Sequence, residues 1–507
     1  MYKRQSVLYV VQRMTSLSGT FTLLALLGYL YARTAAGAGA GRLAGAALVP
    51  LAAAAAVLTK ETGTLLPLYV LALEVTVLRS ARPWPALRQR WRRLSPAWRR
   101  LGMLGAAVVL AGACAAVTAH YSGGYGARPF TLVERLLTEA RVLWFYLGLV
   151  VAPGLDRFGL HHDDIALSTG WFVPLTTAPA VLGIVALAGL AVMLRRRAPL
   201  AALAVLWFLL GHSLESTVVP LEIAHEHRNY LPLLGPCWLL AAGLLRLVPR
   251  HRPAARAASP LVAGVFVVCA LAVLTGLRAE QWSHERVLAE YEALHHPRSA
   301  RAHNALAAQQ FQSGQLEAAL RSARHAERLA PLEPGYAMNV AYTRSVLGEA
   351  ADSARHQRIR ELLRSRPASA FTQRTLQRFG ECAAAGCAAL AVQVDGWLRA
   401  RLAGPGGQRH AATWLFLLGH SLNAQGRSLE ALNAWQDAHE ADRGYLHPLF
   451  DMGNLLLSLG QIDGAQHVLR QIEAANARAP VPRTAEAAQL RALIAAATSA
   501  PQAAARP

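Results

Sequence analysis

The first half of the chain alternates long apolar runs with short polar connections. Eight stretches are apolar and long enough, or nearly so, to predict membrane-spanning helices. They cover about 14–32, 43–58, 63–78, 101–119, 173–194, 200–214, 231–248 and 260–277. The segment 131–152 has a helical period but carries several charges, so we expect it to form an interfacial or re-entrant helix. The pattern predicts a polytopic membrane domain over residues 1–278.

The second half is a mixed, charged sequence with an internal repeat. Gly314 and Gly348 are 34 residues apart, and so are Gly426 and Gly460. This is the length of the tetratricopeptide (TPR) repeat, in which each unit is a pair of antiparallel helices. The longer interval between the two pairs of glycines fits one degenerate repeat with an insertion.

The whole chain is therefore predicted to be all-α. About eight membrane spans form the first domain, and a soluble TPR α-solenoid follows. The predicted divisions of the second half are a linker over 279–299, the repeats over 300–480 and an Ala/Pro-rich tail over 481–507.

Positive charge is concentrated between the apolar runs. Eight arginines lie in Arg79–Arg100, three in Arg195–Arg197 and four in Arg246–Arg256. The positive-inside rule places such loops in the cytoplasm. With eight crossings, the remaining connections and the repeats fall on the other face. We expect a bacterial inner-membrane protein with a periplasmic TPR domain. The net charge of +21 does not predict nucleic-acid binding, because the arginine clusters lie in short connections between apolar runs, as in cytoplasmic loops.

A polar loop over His161–Asp164 is the first candidate site. Two carboxylates beside two imidazoles are able to bind a divalent cation or to act as a general base. Asp163 and Asp164 are thus candidate catalytic residues, and His162 with Asp163 is a candidate metal-ligand pair. The alternative is a solvated loop or a cap on the next helix.

The second candidate site is LEIAHEHRNYLP, residues 221–232, directly before an apolar run. Uncompensated charge next to lipid is expensive, which favours a function. The planar guanidinium of Arg228 suits a lipid-linked phosphate, and Glu226 suits a base or an arginine partner. His227 and Tyr230 are candidate donor-binding residues beside them. A purely structural ion pair at the headgroup level is the alternative.

The third candidate site is TKETG, residues 59–63, between two apolar runs. Lysine occurs only at Lys3 and Lys60, a skew typical of a GC-rich bacterial genome that makes Lys60 conspicuous. Lys60, with Arg13 near it in the predicted topology, is able to neutralise a phosphate. Adjacent opposite charges that merely cap a hairpin are the alternative.

These segments together resemble bacterial membrane proteins related to the transmembrane and TPR-containing protein O-mannosyltransferases, of the GT-C class of glycosyltransferases. The resemblance covers roughly residues 5–240 and the repeats, and KETG and the E-x-R-x-Y-L-P pattern are its more specific parts. It implies transfer of a sugar from a polyprenyl-phosphate donor to an extracytoplasmic protein hydroxyl. An acidic residue would deprotonate the acceptor, and basic residues would stabilise the departing phosphate.

The chain departs from that pattern at its start. Enzymes of the GT-C class typically carry an acidic motif in their first extracytoplasmic loop, and nothing before Arg13 supplies one. We expect that N-terminal spans are missing from this sequence, or that the chain is not active alone. The residues that the resemblance assigns to acid, metal or donor-phosphate roles are Asp163, Asp164, Glu226, Arg228, Lys60 and Arg13.

Two functions follow as hypotheses. The leading one is a GT-C-like glycosyltransferase whose TPR concave face binds the acceptor protein or a partner peptide. Its expected partners are the lipid bilayer, a polyprenyl-phosphate-linked sugar and the bound protein, with a divalent metal as the expected cofactor. The alternative is a non-enzymatic, membrane-anchored TPR scaffold for cell-envelope assembly.

Overall fold

A computed structural model describes residues 13–34, 40–78, 95–246, 253–384, 388–477 and 482–499. Within these ranges the regular structure is helical, and the one strand-like pairing is an isolated bridge between Gly170 and Val173. The all-α prediction is confirmed. The chain divides into two compact units, residues 1–303 and 304–507.

The first unit contains ten described α-helices, joined by several short 3-10 turns. They are α1 (Arg13–Thr34), α2 (Ala40–Thr59), α3 (Leu66–Val75), α4 (Pro96–Ser122), α5 (Leu132–Val151), α6 (Thr177–Leu194), α7 (Pro199–Gly211), α8 (Leu234–Arg246), α9 (Pro253–Ser283) and α10 (Glu285–His295).

The number of membrane-spanning helices needs correction. Among the described residues, three helices are long and apolar enough to cross a bilayer, and about eight were predicted. The three are Arg13–Thr34, Thr177–Leu194 and Val262–Ser283. Shorter apolar helices occupy Leu43–Thr59, Pro199–Gly211 and Leu234–Arg246.

Helix length explains most of the difference. The predicted span at 63–78 is divided between a 3-10 turn, Glu61–Leu65, and the ten residues of α3, which rise only about 15 Å. With 13 residues each, α7 and α8 rise about 20 Å, less than the roughly 30 Å of a hydrocarbon core. Counting apolar runs in the sequence therefore overestimated the number of membrane-spanning helices. The predicted span at 101–119 lies within α4.

Two apolar clusters form the described core of the first unit. One centres on Tyr69 and Trp207, whose rings lie 4.2 Å apart. The other contains Val142, Tyr146 and Phe208 and packs α5 against α7. Both clusters border the irregular segment 212–230, which carries most of the polar residues described below.

The second unit is a series of helical hairpins. Its helices are α11 (Ala300–Gln312, continuing from the first unit), α12 (Leu316–Leu329), α13 (Pro334–Val346), α14 (Ser353–Ser365), α15 (Ala370–Ala384), α16 (Ala388–Ala403), α17 (Ala411–Ala424), α18 (Ser428–Ala441), α19 (His447–Ser458), α20 (Ile462–Asn476) and α21 (Thr484–Ser499).

The repeat prediction is confirmed by these hairpins. The four glycines at the 34-residue spacing each lie in the turn between two helices with φ of +73° to +75°, a conformation that favours glycine. The pair α15 and α16 occupies the interval in which a degenerate repeat was expected. Small residues are fully buried where the helices meet, including Ala326, Ala431 and Ala438. The TPR-like fold thus follows from turns that need glycine and interfaces that need alanine.

Candidate functional site: the polar cluster around residues 215–230

The polar cluster is organised by α5, which begins with a capping box between Thr131 and Glu134. One face of this helix buries Arg135 completely. Its guanidinium donates hydrogen bonds to the carbonyls of Glu215 at 2.6 Å, Thr217 at 3.0 Å and Leu221 at 2.6 Å. A segment without regular structure leaves its carbonyls unpaired, so this one side chain stabilises the path of the chain through 215–221.

Lys60 forms a buried ion pair that joins distant parts of the sequence. Its Nζ lies 3.0 Å from Oε1 of Glu215 and 3.2 Å from Oγ1 of Thr15. Both charged side chains are 6% exposed. The TKETG segment, α1 and the segment 215–230 therefore meet at Lys60, and Glu215 neutralises its charge.

Arg228 is buried without a carboxylate partner. The residue is 6% exposed, and its Nη1 donates to the carbonyl of Glu222 at 2.6 Å and more weakly to that of Ile223 at 3.5 Å. Among the described residues, no carboxylate lies within 4.0 Å of its guanidinium. A guanidinium is thus buried here with only carbonyl oxygens as its contacts among the described residues.

Three other predicted donor-binding residues lie near the start of α1 or beside Lys60. Tyr230 packs against Gly19, where a Cβ would come within 3.2 Å of its ring, and is 48% exposed. Arg13 begins α1 and is exposed. Burial, followed by nearby positive charge that includes Lys60, lowers the pKa of His227 to about 2, so this imidazole is neutral at physiological pH.

Glu226 connects this cluster to the HHDD loop. Its Oε1 accepts a hydrogen bond from the backbone N–H of Gly159 at 2.6 Å and lies 3.3 Å from Nε2 of His162. Its Oε2 forms no hydrogen bond with the residues that the structure describes. One oxygen is thus held in place, and the second is available to another group.

The two neighbouring aspartates have different partners. Oδ2 of Asp164 lies 3.0 Å from Nδ1 of His296. Asp163 accepts hydrogen bonds from the hydroxyl of Ser299 and from the backbone N–H of Arg301 at 3.2 Å. Burial raises the pKa of Asp164, but the hydrogen bond and charge of His296 outweigh it and leave the pKa below its ordinary value. Asp164 is therefore ionised near neutral pH and suits a ligand or fixed anion better than a base.

The donor atoms of three residues form a group suited to a metal ion. One donor atom each from His162, Asp164 and His296 lie within 4.8 Å of one another. The sequence had paired His162 with Asp163, whose carboxylate is engaged by Ser299 and Arg301. His296 was missed because it lies 132 residues from Asp164 and no spacing relates the two.

Sequence reasoning also missed Glu139, the partner of Arg135. The carboxylate is 2% exposed, and its Oε1 lies 2.8 Å from Nη2 of Arg135. Burial is the largest effect on its pKa and raises it to about 7 against the opposing charges of Arg135 and Arg228. The i, i+4 spacing of Arg135 and Glu139 was visible in the sequence, but such pairs are more often exposed.

Glu222 forms a third ion pair, with Arg301 and Arg128. One carboxylate oxygen lies 2.8 Å from Nη2 of Arg301 and 3.2 Å from Nη1 of Arg128. Burial raises the pKa of Glu222, yet the Arg301 guanidinium more than compensates and brings it to about 2. The segment 215–230 is thus tied to residues around 60, 130, 160 and 300, all of which lie in the first unit.

Similarity to known proteins is found at the level of structure. No protein-family model matches the chain. No curated protein matches it either. A solved structure that is similar to it is the crystal structure of yeast Tom70, with 11% sequence identity and a TM-score of 0.28 over 94% of this chain and 88% of that chain. Functional conclusions therefore depend on the residues of this chain.

Proposed function

We propose that the first unit is a GT-C-like membrane glycosyltransferase. It moves a sugar from a polyprenyl-phosphate donor to a hydroxyl of an extracytoplasmic protein, and the repeats recognise that protein or a partner. The observation that carries the proposal is Arg228, a buried guanidinium with no carboxylate in contact among the described residues.

A buried cation with no carboxylate in contact favours an anionic ligand. Taking a charge out of water costs several kcal/mol unless a counter-charge is present, as a rough general figure. A guanidinium presents a planar fork that matches a phosphate, which makes Arg228 the proposed contact for the donor phosphate. Lys60 differs, because Glu215 already neutralises it. We assign Lys60 to holding the segment 215–230 in place.

Glu226 is the proposed general base. It lies two residues before Arg228, and its Oε2 makes no hydrogen bond to the described residues. Glu226 takes the proton of the acceptor Ser or Thr hydroxyl as that oxygen bonds to the anomeric carbon. The bond from the anomeric carbon to the donor phosphate breaks, and the phosphate oxygen keeps the electron pair beside Arg228.

Two exposed residues are proposed to contact the donor as it enters this site. Tyr230 and Arg13 are exposed at the same end of α1, where a hydroxyl donor and a guanidinium suit the second phosphate oxygen. The polyprenyl chain of the donor would lie in the bilayer along the three apolar helices. The proposal includes a bacterial inner-membrane location with the repeats in the periplasm.

Donor turnover tests the proposal. The purified full chain is placed in lipid vesicles with polyprenyl-phosphate mannose or glucose and a periplasmic extract of the native host, and release of polyprenyl phosphate is measured. Loss of a general base typically costs about 10²–10⁴-fold, which is the expected effect of Glu226→Gln. Loss of one cation that stabilises developing charge costs about 10²–10³-fold, the expected effect of Arg228→Ala.

Arg286→Ala is the matched control. Arg286 pairs with Glu290 on the surface, and the two side chains are 62% and 56% exposed. This variant is expected to turn over donor at the wild-type rate. Folded Glu226→Gln and Arg228→Ala chains with wild-type turnover would contradict the site. Absence of turnover in the wild type with every donor would favour the membrane-anchored scaffold.

A further inference from the structure

The loop 159–164 is held against the segment 292–301 by several polar contacts. Oε2 of Glu292 accepts hydrogen bonds from the backbone N–H groups of Leu160 at 2.9 Å and His161 at 3.4 Å. Asp163 binds Ser299 and the backbone of Arg301 on the other side. All of these residues lie in the first unit. Two stretches more than 130 residues apart are thereby fixed side by side.

Three metal-binding side chains face one another between these anchors. His162 and His296 are each 6% exposed, and their rings lie edge to face with centroids 5.5 Å apart. Asp164 contributes a carboxylate oxygen 3.0 Å from Nδ1 of His296. The three donor atoms lie within 4.8 Å of one another. An ion with bonds of about 2.1 Å in tetrahedral geometry needs donors about 3.4 Å apart, so binding requires a small closure of the side chains.

The two ring nitrogens of His296 have different surroundings. Nδ1 faces Oδ2 of Asp164 at 3.0 Å, whereas Nε2 is buried and has no hydrogen-bond partner among the described residues. An ion bound by both His296 and Asp164 takes the place of the proton between Nδ1 and Oδ2. Nε2 of His162 already faces Glu226 at 3.3 Å, the kind of carboxylate contact that fixes the tautomer of a ligating histidine.

We propose that His162, Asp164 and His296 bind one divalent transition-metal ion. Two imidazoles and one carboxylate match Zn²⁺, whereas Mg²⁺ and Ca²⁺ prefer sites made of oxygen ligands. Three protein ligands leave the fourth position of a tetrahedral ion for water or substrate. The ion joins the loop that positions Glu226 to the end of α10. This site does not depend on the proposed glycosyl transfer.

Metal content of the purified full chain tests this site. The chain is stripped with a chelator, incubated with Zn²⁺ or Co²⁺, freed of unbound ion and analysed for metal. The wild type is expected to hold one ion per chain, and bound Co²⁺ to show visible absorption of low-symmetry coordination. Asp164→Asn and His296→Ala are each expected to weaken binding by at least about tenfold.

Neighbouring residues provide matched controls. Asp163→Asn changes the adjacent carboxylate, and His295→Ala changes the adjacent imidazole, whose Nδ1 faces the carbonyl of Tyr291 at 3.0 Å. Both variants are expected to retain the ion. Equal retention in the Asp164 and His296 variants, or loss in the Asp163 variant alone, would overturn the ligand set.

The wild type alone provides a second test, in case a ligand variant does not fold. A ligand that binds only the folded chain raises its melting temperature. Chelation is therefore expected to lower the melting temperature, and added Zn²⁺ to restore it. A wild-type chain that binds no stoichiometric ion and melts at the same temperature in both conditions would overturn the proposal.

Discussion

Among the described residues, the most deeply buried ion pairs lie in the first unit rather than in the repeats. In the first unit, Lys60 and Glu215 are each 6% exposed, and Arg135 and Glu139 are 0% and 2% exposed. In the repeats, a typical ion pair such as Arg427 and Glu430 is 38% and 51% exposed. Buried ion pairs are weak evidence for stability because desolvation offsets their attraction. The two buried pairs of the first unit therefore call for an explanation other than stability.

Breaking one buried pair gives the largest expected effect. Lys60→Met leaves the Glu215 carboxylate buried without a counter-charge, which is expected to lower the free energy of unfolding by about 3–5 kcal/mol. Thermal unfolding of the purified full chain measures the change. Lys60→Met combined with Glu215→Leu should recover most of it, because two apolar groups replace the pair.

An exposed pair is the matched control for that experiment. Arg286→Met removes one partner of a pair that is more than half exposed on both sides, and such pairs contribute about 0–1 kcal/mol. Equal losses for the Lys60 and Arg286 variants would show that burial does not separate the two kinds of ion pair.

The stability of the repeats should depend instead on the packing of their apolar core. Leu363 is fully buried in the core that also contains Leu376 and Trp397. Leu363→Ala is expected to lower the free energy of unfolding by about 2–5 kcal/mol through the cavity it leaves. Donor turnover per folded chain should stay unchanged, since the proposed site lies in the other unit. A turnover defect in the folded variant would contradict that separation.

The burial of Glu139 is expected to make the stability of the first unit depend on pH. Its pKa of about 7 in the folded chain exceeds the ordinary value of 4.5, so between these pH values the folded state binds the extra proton. The free energy of unfolding should therefore fall as pH rises from about 5 to 7.5, by roughly 2 kcal/mol. Glu139→Gln should remove this part of the slope. An identical pH dependence in the wild type and the variant would contradict the assignment.

The smallest effect is expected at a repeat turn. Gly426 has a φ of +75° and open space around its Cα, so an added side chain meets a backbone penalty and no clash. Gly426→Ala should cost about 1–2 kcal/mol. Gly426→Asn should cost less, because asparagine tolerates this conformation. Unfolding of the two variants under the same conditions checks the order, and equal stability of Gly426→Ala and wild type would contradict it.

The sequence predicted the repeats better than the first unit. A repeat of fixed length needs glycine at each turn, so Gly314 and Gly426 could be identified from the local sequence pattern. Span counting overstated the membrane helices, because apolar composition at 63–78 and 200–214 does not reveal where a helix starts or ends. Three described helices meet the length requirement.

Candidate site residues were predicted by composition, and their partners were not. Lys60, Glu226 and Arg228 stood out because charge next to apolar runs is costly. Glu215 and His296 were missed because each acts through a contact with a residue far away in the sequence. The sequence also paired His162 with Asp163, whereas Asp164 is the carboxylate that faces His296. The geometry of the loop decides which of the two neighbouring carboxylates does so, and the sequence does not reveal it.

The central claim is that the buried charges of the first unit serve sugar transfer. Its most direct test compares intact masses of extracytoplasmic proteins from the native host with those from a strain that carries a chromosomal Glu226→Gln allele. We expect particular proteins to lose a hexose-sized increment while the variant chain is present at its normal level. Unchanged masses at that level would contradict the claim and favour the scaffold.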